Sequence, residues 1–264
     1  MSAKVSWRGA AGAAAMALAL LGTSGCHHRE NTARTVPPVA LPPELPPRSP
    51  ATAPSPAPSR IPVTPVPPGG VSAEDLDYVA SHQPIFSEVG YATWYTAPYK
   101  GRRAANGEVF DDDAMTAANR TLPMGSLVVV TNLKTGQSSA MRITDRGPFV
   151  GDRMLDLTIA SARATGVYRA GLVEVRMDVY QTPKPVDIGG RWCVQIGAFH
   201  DEQEALDLKA QLLRTYPGAT VTEFPGEKSF WVRIRPQGDD RAMAEYIAVH
   251  IQPVEGDAYL TRLD

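Results

Sequence analysis

The chain has 264 residues and nearly balanced charge, 28 acidic against 26 basic side chains, for a formal net charge of −2. The basic residues are scattered, which excludes the dense positive patch that nucleic-acid binding requires. Only Cys26 and Cys193 are present, which excludes a disulfide framework even in a compartment that would permit one. This length accommodates one large domain or two small ones, and composition along the chain favours two small ones.

Residues 1–25 read as an export signal. Lys4 and Arg8 give a positive start, Ala10–Leu21 is an apolar run too short to span a bilayer, and Gly22-Thr23-Ser24-Gly25 leads into Cys26. Two readings of Cys26 stand: a cysteine lipidated after signal removal, or one incidental to an ordinary signal. A multiply acylated terminus would anchor the chain stably to a membrane. His27 follows, where many bacterial lipoproteins kept in the inner membrane carry aspartate; by that resemblance the anchor points to the outer membrane, facing the periplasm.

Residues 26–84 are expected to be a disordered, Pro-rich tether. Pro37-Pro38, Pro42-Pro43 and Pro46-Pro47 begin a run that ends only at Gly69-Gly70 and offers little apolar area to bury. Such segments are stiff and extended, roughly 3 Å per residue. Ala73–Ala80 could form one or two helical turns. A linker at 182–190, with Pro183, Pro185 and Gly189-Gly190, separates residues 85–181 from 191–264.

In the first of these, Gly90–Tyr95, Leu127–Thr131, Ser138–Thr144 and Leu172–Tyr180 carry strand patterns. Thr158–Thr165 has room for a short helix, with Thr158 as cap and Gly166 as stop. Short strands with many turns and little helix predict a small closed all-β barrel. Trp94 and Tyr95 are adjacent on a strand and so face opposite ways, one inward and one outward. Asp111-Asp112-Asp113 lacks the later spacing of a calcium loop and reads as a solvated turn. Asp152 and Arg153 are placed near a turn, and Asp156 at the start of a helix. The histidines form no metal-ligand motif, so no metal and no cofactor is expected.

The second half reads strand, helix, strand, strand, helix, strand: Trp192–Phe199, Asp201–Tyr216, Ala219–Phe224, Phe230–Arg235, Asp239–Val249 and Ala258–Leu263. This βαββαβ, ferredoxin-like order predicts a small α+β sheet with both helices on one side. Strand parity turns Trp192, Val194, Ile196, Val232 and Ile234 toward the helices, and Cys193, Gln195, Trp231, Arg233 and Arg235 outward. An exposed tryptophan beside arginines and an amide reads as a ligand surface.

Six segments in order, Ala92-Thr93-Trp94-Tyr95, Ala105-Asn106-Gly107-Glu108, Thr121-Leu122-Pro123, Val130-Thr131-Asn132, Asp145-Arg146-Gly147-Pro148-Phe149 and Asp156-Leu157-Thr158, resemble the rare lipoprotein A family. The resemblance implies a double-psi β-barrel and endolytic transglycosylase action on peptidoglycan. Trp192-Cys193-Val194-Gln195-Ile196-Gly197-Ala198-Phe199 resembles the opening strand of SPOR domains. That resemblance implies binding of glycan strands stripped of stem peptides, typically at division septa, through Gln195, Trp231, Arg233 and Arg235.

Under these resemblances the expected catalytic acid/base is Asp145, at a strand end before a Gly-Pro turn. A turn-capping role is the competing reading, and the two can coexist. A lytic transglycosylase needs one main acid/base, because the muramyl 6-hydroxyl is the internal nucleophile. A glycosidase normally uses a second carboxylate. Asp145 shares strand parity with Met141 and Ile143, whose apolar surround would favour the protonated acid, while Arg142 and Arg146 would favour the carboxylate. Glu108, Asn119, Tyr95 and Trp94 are expected in the substrate groove. Asn119 departs from the family pattern Ala-Ala-His, and a carboxamide cannot exchange a proton as imidazole does. A binding protein that has lost activity is therefore the alternative.

Overall fold

The computed structural model describes residues 69–96, 99–224, 229–253 and 255–264. The export signal, Cys26 and the proline run to Pro68 lie outside the described residues.

The first described element is helix α1, Ala73–Ser81, closed at its start by a reciprocal capping box between Ser72 and Asp75. Although α1 falls within the stretch expected to be spacer, it is held to the barrel. The Asp75 carboxylate pairs with the Arg142 guanidinium, which also donates to the Gly125 carbonyl.

Strands β1 (Phe86–Trp94), β2 (Thr116–Ala118), β3 (Leu127–Asn132), β4 (Ser138–Asp145), β5 (Arg153–Leu157) and β6 (Val173–Gln181) close into a barrel of order β1-β5-β2-β4-β3-β6. Two of its pairings, β1 with β5 and β2 with β4, are parallel. The period-2 pattern of β6 turns Val173, Val175, Met177 and Val179 inward, where they meet Val128, Val130, Met141 and Ile143. Helix α2, Ile159–Ala164, begins at Thr158, whose hydroxyl accepts from the Ser161 N–H. Gly166 follows with φ of 72°, a backbone region that favours glycine, and a further short turn of helix, α3, spans Val167–Ala170. Sequence patterning anticipates four of the six strands; β2 and β5 are the additions.

The second domain has strands β7 (Trp192–Phe199), β8 (Thr220–Phe224), β9 (Ser229–Ile234) and β10 (Asp257–Arg262), with helices α4 (Glu202–Leu212) and α5 (Arg241–His250). Its sheet order is β10-β7-β9-β8, every pairing antiparallel. Trp192, Val194, Ile196, Val232 and Ile234 pack with Ala205, Leu208, Leu212, Ala244 and Ile247 of the helices, as parity predicts. Asp201 caps α4 through the Gln203 N–H, and Asp240 caps α5 through the Met243 N–H.

The other sheet face corrects one expectation. Cys193, Gln195 and Trp231 do turn away from the helices, but all three are buried, Trp231 at 2% exposure. The barrel covers Trp231: the Phe149 ring lies 5.4 Å from that of Trp231 and 5.8 Å from that of Tyr259. Parity fixes which way a side chain points, whereas burial depends on what docks against that face.

Candidate active site

A groove of about 720 Å³ opens at one end of the barrel, and Trp94, Tyr95, Asp145, Phe149, Arg153 and Asp156 are among the residues lining it. Asp145 is the last residue of β4. Along β2 the register passes from Ala117 opposite Ile143 to Ala118 opposite Asp145, so Thr144 is the extra residue of a bulge. The inside–outside alternation expected to carry Asp145 along with Met141 and Ile143 therefore breaks one residue before the acid, and Thr144 is itself buried. A bulge of this kind re-aims the side chain that follows it.

The Asp145 carboxylate is caged mainly by backbone. Its Oδ1 accepts from the Ala105 N–H at 2.9 Å and the Arg146 N–H at 2.8 Å, and its Oδ2 accepts from the Tyr95 hydroxyl at 3.3 Å. The turn at Ala104–Glu108 delivers the Ala105 donor, because the Asn106 N–H is fixed to the Thr144 carbonyl at 3.1 Å. Burial raises the carboxyl above the ordinary aspartate range, outweighing the lowering pull of those N–H groups, the Tyr95 hydroxyl and the Arg146 charge. Burial and the nearby Asp145 and Asp156 charges push the Tyr95 phenol well above its usual range, so it stays a neutral donor.

Arg146 does not face Asp145 as a salt-bridge partner. Its guanidinium donates to the carbonyls of Asn119, Leu122 and Asp264 at 3.0, 2.8 and 2.8 Å. Burial, with repulsion from Arg262, lowers it to about 10. Arg142 is engaged with Asp75. The two cations expected to ionise Asp145 are thus largely committed elsewhere, and desolvation prevails.

The remaining sequence-predicted residues divide. Trp94 packs against the barrel core and the Tyr168 ring, 5.0 Å away, while Tyr95 reaches Asp145; both border the groove. Glu108 is exposed, bonded to the Asn106 side chain at 2.8 Å, and lines an adjoining recess with Thr144. Asn119 is buried and faces its own turn: its Oδ1 accepts from the Thr121 and Leu122 N–H groups, and its Nδ2 donates to the Met154 carbonyl. Only its backbone N–H meets Asp145, at the carbonyl. Gln195 is buried and accepts from Arg233 at 3.0 Å, and Arg235 is exposed and held by Asp239.

Asp156 is a groove residue that sequence reasoning placed at a helix entry, while Arg153, expected near a turn, follows the 151–152 turn and lines the same groove. Asp156 lies within β5 rather than at a helix start, accepts from the Thr93 hydroxyl and sits 3.7 Å from Arg153. The available signal was a lone carboxylate inside the apolar run Met154-Leu155-Asp156-Leu157, a position that demands a polar partner. Asp111, Asp112 and Asp113 bring their carboxylates within 4.8 Å of one another, but Asp112 is committed to Lys100 at 2.7 Å and Thr96 at 2.9 Å.

The described residues thus form a six-stranded mixed barrel with a caged acid in a groove, followed by a βαββαβ sheet domain. Residues 87–177 match the family described as "Lytic transglycolase", and residues 189–258 match the SPOR domain. The chain thus carries a lytic transglycosylase domain of the RlpA type followed by a C-terminal SPOR domain. It is 52% identical over 92 residues to the probable endolytic peptidoglycan transglycosylase RlpA of Synechocystis, covering 35% of this chain and 29% of that protein. Against the endolytic peptidoglycan transglycosylase RlpA of Vibrio cholerae it is 45% identical over 100 residues, 38% of each chain. The counterpart in Pasteurella multocida is 35% identical over 144 residues, 54% of this chain and 48% of that one. The matched stretch thus spans less than half of each of these relatives.

Proposed function

We propose that the chain is an endolytic peptidoglycan transglycosylase that cleaves MurNAc–GlcNAc bonds in peptide-poor glycan strands and leaves 1,6-anhydroMurNAc ends. One observation carries the reading: a carboxyl raised by burial, caged by two backbone N–H groups and a phenol, stands in an open groove of about 720 Å³. Proteins named for this activity are 52% and 45% identical to this chain over 92 and 100 residues.

The chemistry balances with one acid. Protonated Asp145 gives its proton to the glycosidic oxygen as the bond from that oxygen to the muramyl C1 breaks. The muramyl 6-hydroxyl then attacks C1 and surrenders its proton to the Asp145 carboxylate, restoring the acid and closing the anhydro ring. A raised pKa suits the first step, and the backbone donors stabilise the anion between the two. Tyr95 holds the acid, Trp94 and Glu108 border the path of the strand, and Asn119 orders the turn behind the acid.

In this reading residues 1–25 are the lipoprotein signal, lipidated Cys26 anchors the chain to the outer membrane facing the periplasm, and residues 26–84 give reach. The barrel spans 85–181, a linker 182–190, and the SPOR domain 191–264, with Arg233 and Arg235 directed at peptide-free glycan in the septal wall, whereas Gln195 and Trp231 are buried. Recruitment by such a domain raises the local concentration of substrate for the barrel.

The test is mass spectrometry of fragments released from peptide-stripped and intact peptidoglycan by the chain and by Asp145→Asn. Anhydro-ended fragments that disappear in the variant are expected. Free reducing ends would instead indicate a hydrolase that recruits Asp156 as its second carboxylate, and no fragments at all from a folded, glycan-binding chain would indicate a binding protein.

A further inference from the structure

The linker at 182–190 does not leave the SPOR domain hanging free of the barrel. The Arg262 N–H donates to the Arg120 carbonyl at 2.8 Å, and the Met124 N–H to the Asp264 carbonyl at 3.3 Å, so the end of the second domain is laced to the segment that follows β2. Lys184, within the linker, pairs with the Asp264 carboxylate at 2.7 Å.

These contacts converge on the five residues that begin with the acid. Arg146 places one of its three carbonyl bonds on Asp264. Arg120 donates to the Pro148 carbonyl at 2.9 Å while its guanidinium lies 5.1 Å from the centre of the Tyr259 ring. Phe149 packs against both Trp231 and Tyr259, whose rings are 6.4 Å apart, so the three form a triangle. Trp231 stands on β9 and yet borders the same groove as Asp145. Aromatic triads of this geometry are stabilising beyond the area they bury and define ring positions closely.

We infer that the SPOR domain forms one wall of the cleavage groove, with Trp231 acting as a positioning residue that fixes Phe149 and, through the 145–149 segment, the catalytic carboxyl. This rests on the transglycosylase reading and deepens it: the second domain helps to build the site in addition to recruiting substrate. A displacement of about 1 Å at a catalytic group costs up to about a hundredfold in rate, so a neighbour that fixes Phe149 has kinetic weight without touching the reacting bond.

Positioning and recruitment leave different kinetic signatures. Loss of a group that only recruits glycan raises KM and spares kcat, whereas loss of one that aligns the acid lowers kcat with little change in KM. The experiment is steady-state release of anhydro-ended fragments from peptide-stripped glycan by the full chain in detergent, unmodified and as Trp231→Ala and Trp231→Phe. Trp231→Ala should lower kcat about tenfold with KM within about twofold, and Trp231→Phe should restore most of the loss. Amide hydrogen exchange over residues 146–150 should quicken in Trp231→Ala and not in Trp231→Phe, whether or not the chain cleaves glycan. Should Trp231→Ala fail to fold, Trp231→Leu takes its place.

An active unmodified chain whose folded Trp231→Ala variant keeps its kcat, or loses only KM, overturns the inference. An unmodified chain that releases nothing overturns the transglycosylase reading instead, and unchanged exchange at 146–150 would then sink the positioning claim independently.

Discussion

Asp145, at the end of β4, and Asp112, in the connection before β2, have surroundings that drive them in opposite directions. Asp112 sits between a lysine and a hydroxyl; its hydrogen bond to Lys100 holds the carboxyl below its ordinary range. Asp145 has no such cation at its oxygens, because Arg146 spends its guanidinium on three carbonyls, and burial raises it. A full counter-charge fixes a carboxylate as an anion, whereas backbone donors and a phenol support the anion only partly and leave a proton transferable. The difference between a structural aspartate and a candidate acid lies in the kind of donor each is given, more than in how many.

The comparison breaks most directly at Asp145. Asp145→Asn should abolish anhydro-fragment release by about a thousandfold, within the span that general acid–base groups contribute. It should also reveal the cost of the site. A carboxyl whose pKa is raised on folding contributes stability fully present below its unfolded value and lost as pH rises through its folded value. Asparagine escapes that loss, since its carbonyl oxygen can still accept from the Ala105 and Arg146 N–H groups. The variant should therefore melt above the unmodified chain at pH 7, with the gap closing as pH falls toward 4, as scanning calorimetry would report. A variant that melts lower at pH 7 would argue against burial as the dominant influence on Asp145.

Asn119 gives the next effect in size, and it tests whether the scaffold behind the acid matters. Its Oδ1 serves the Thr121 and Leu122 N–H groups, and the turn so formed presents the Asn119 and Leu122 carbonyls to Arg146. Asn119→Ala should cost about 2 kcal/mol in denaturant unfolding, as two backbone donors lose their acceptor. Asn119→His should also destabilise, because a neutral imidazole has a single acceptor nitrogen for those two N–H groups. A histidine variant that gains activity without losing stability would show that this turn re-forms with the ring pointing into the groove.

How far these features could be read from the sequence follows from the range of the interactions that create them. The second domain was legible in detail, since its strands are long enough to show period-2 alternation and its helices announce themselves by the caps Asp201 and Asp240. Asp145 was legible as the end of β4 before a Gly-Pro turn. Strand β2 was not: three residues, Thr116–Ala118, carry no period, and they are strand only because β4 and β5 flank them. The Thr144 bulge, the commitment of Arg142 to Asp75 and the covering of Trp231 by Phe149 all arise from chain segments far apart in sequence, which local pattern does not encode. Barrel closure was legible from the short strands and turns, whereas the double-psi crossing of the strands entered by family resemblance.

Tyr95 tests the cage more gently, since its hydroxyl reaches Asp145 at 3.3 Å, longer than either backbone contact. Tyr95→Phe should lower kcat by about tenfold or less, the size of one hydrogen bond to a charged group. Its sharper readout is the pH profile. Under the proposed mechanism Asp145 acts as the acid, so activity should fall as pH rises through its pKa, and loss of a donor that stabilises the anion should move that falling limb to higher pH.

The smallest effect is expected at the opposite pole. Asp112→Asn keeps the shape of the side chain and its bond to Thr96 but loses the anion that Lys100 meets, so glycan cleavage should be unchanged. Stability should fall slightly at pH 7. A carboxyl whose pKa is lowered on folding contributes stability present above its unfolded value, near 3.8, and lost as pH falls through its folded value. The melting difference between Asp112→Asn and the unmodified chain should therefore shrink on acidification, the same trend as for Asp145→Asn but with the opposite sign of effect at pH 7. If instead Asp112→Asn lowers kcat while the melting curve stays in place, the 111–113 turn shapes the groove through Thr96, and the division between a structural and a catalytic aspartate fails at that residue.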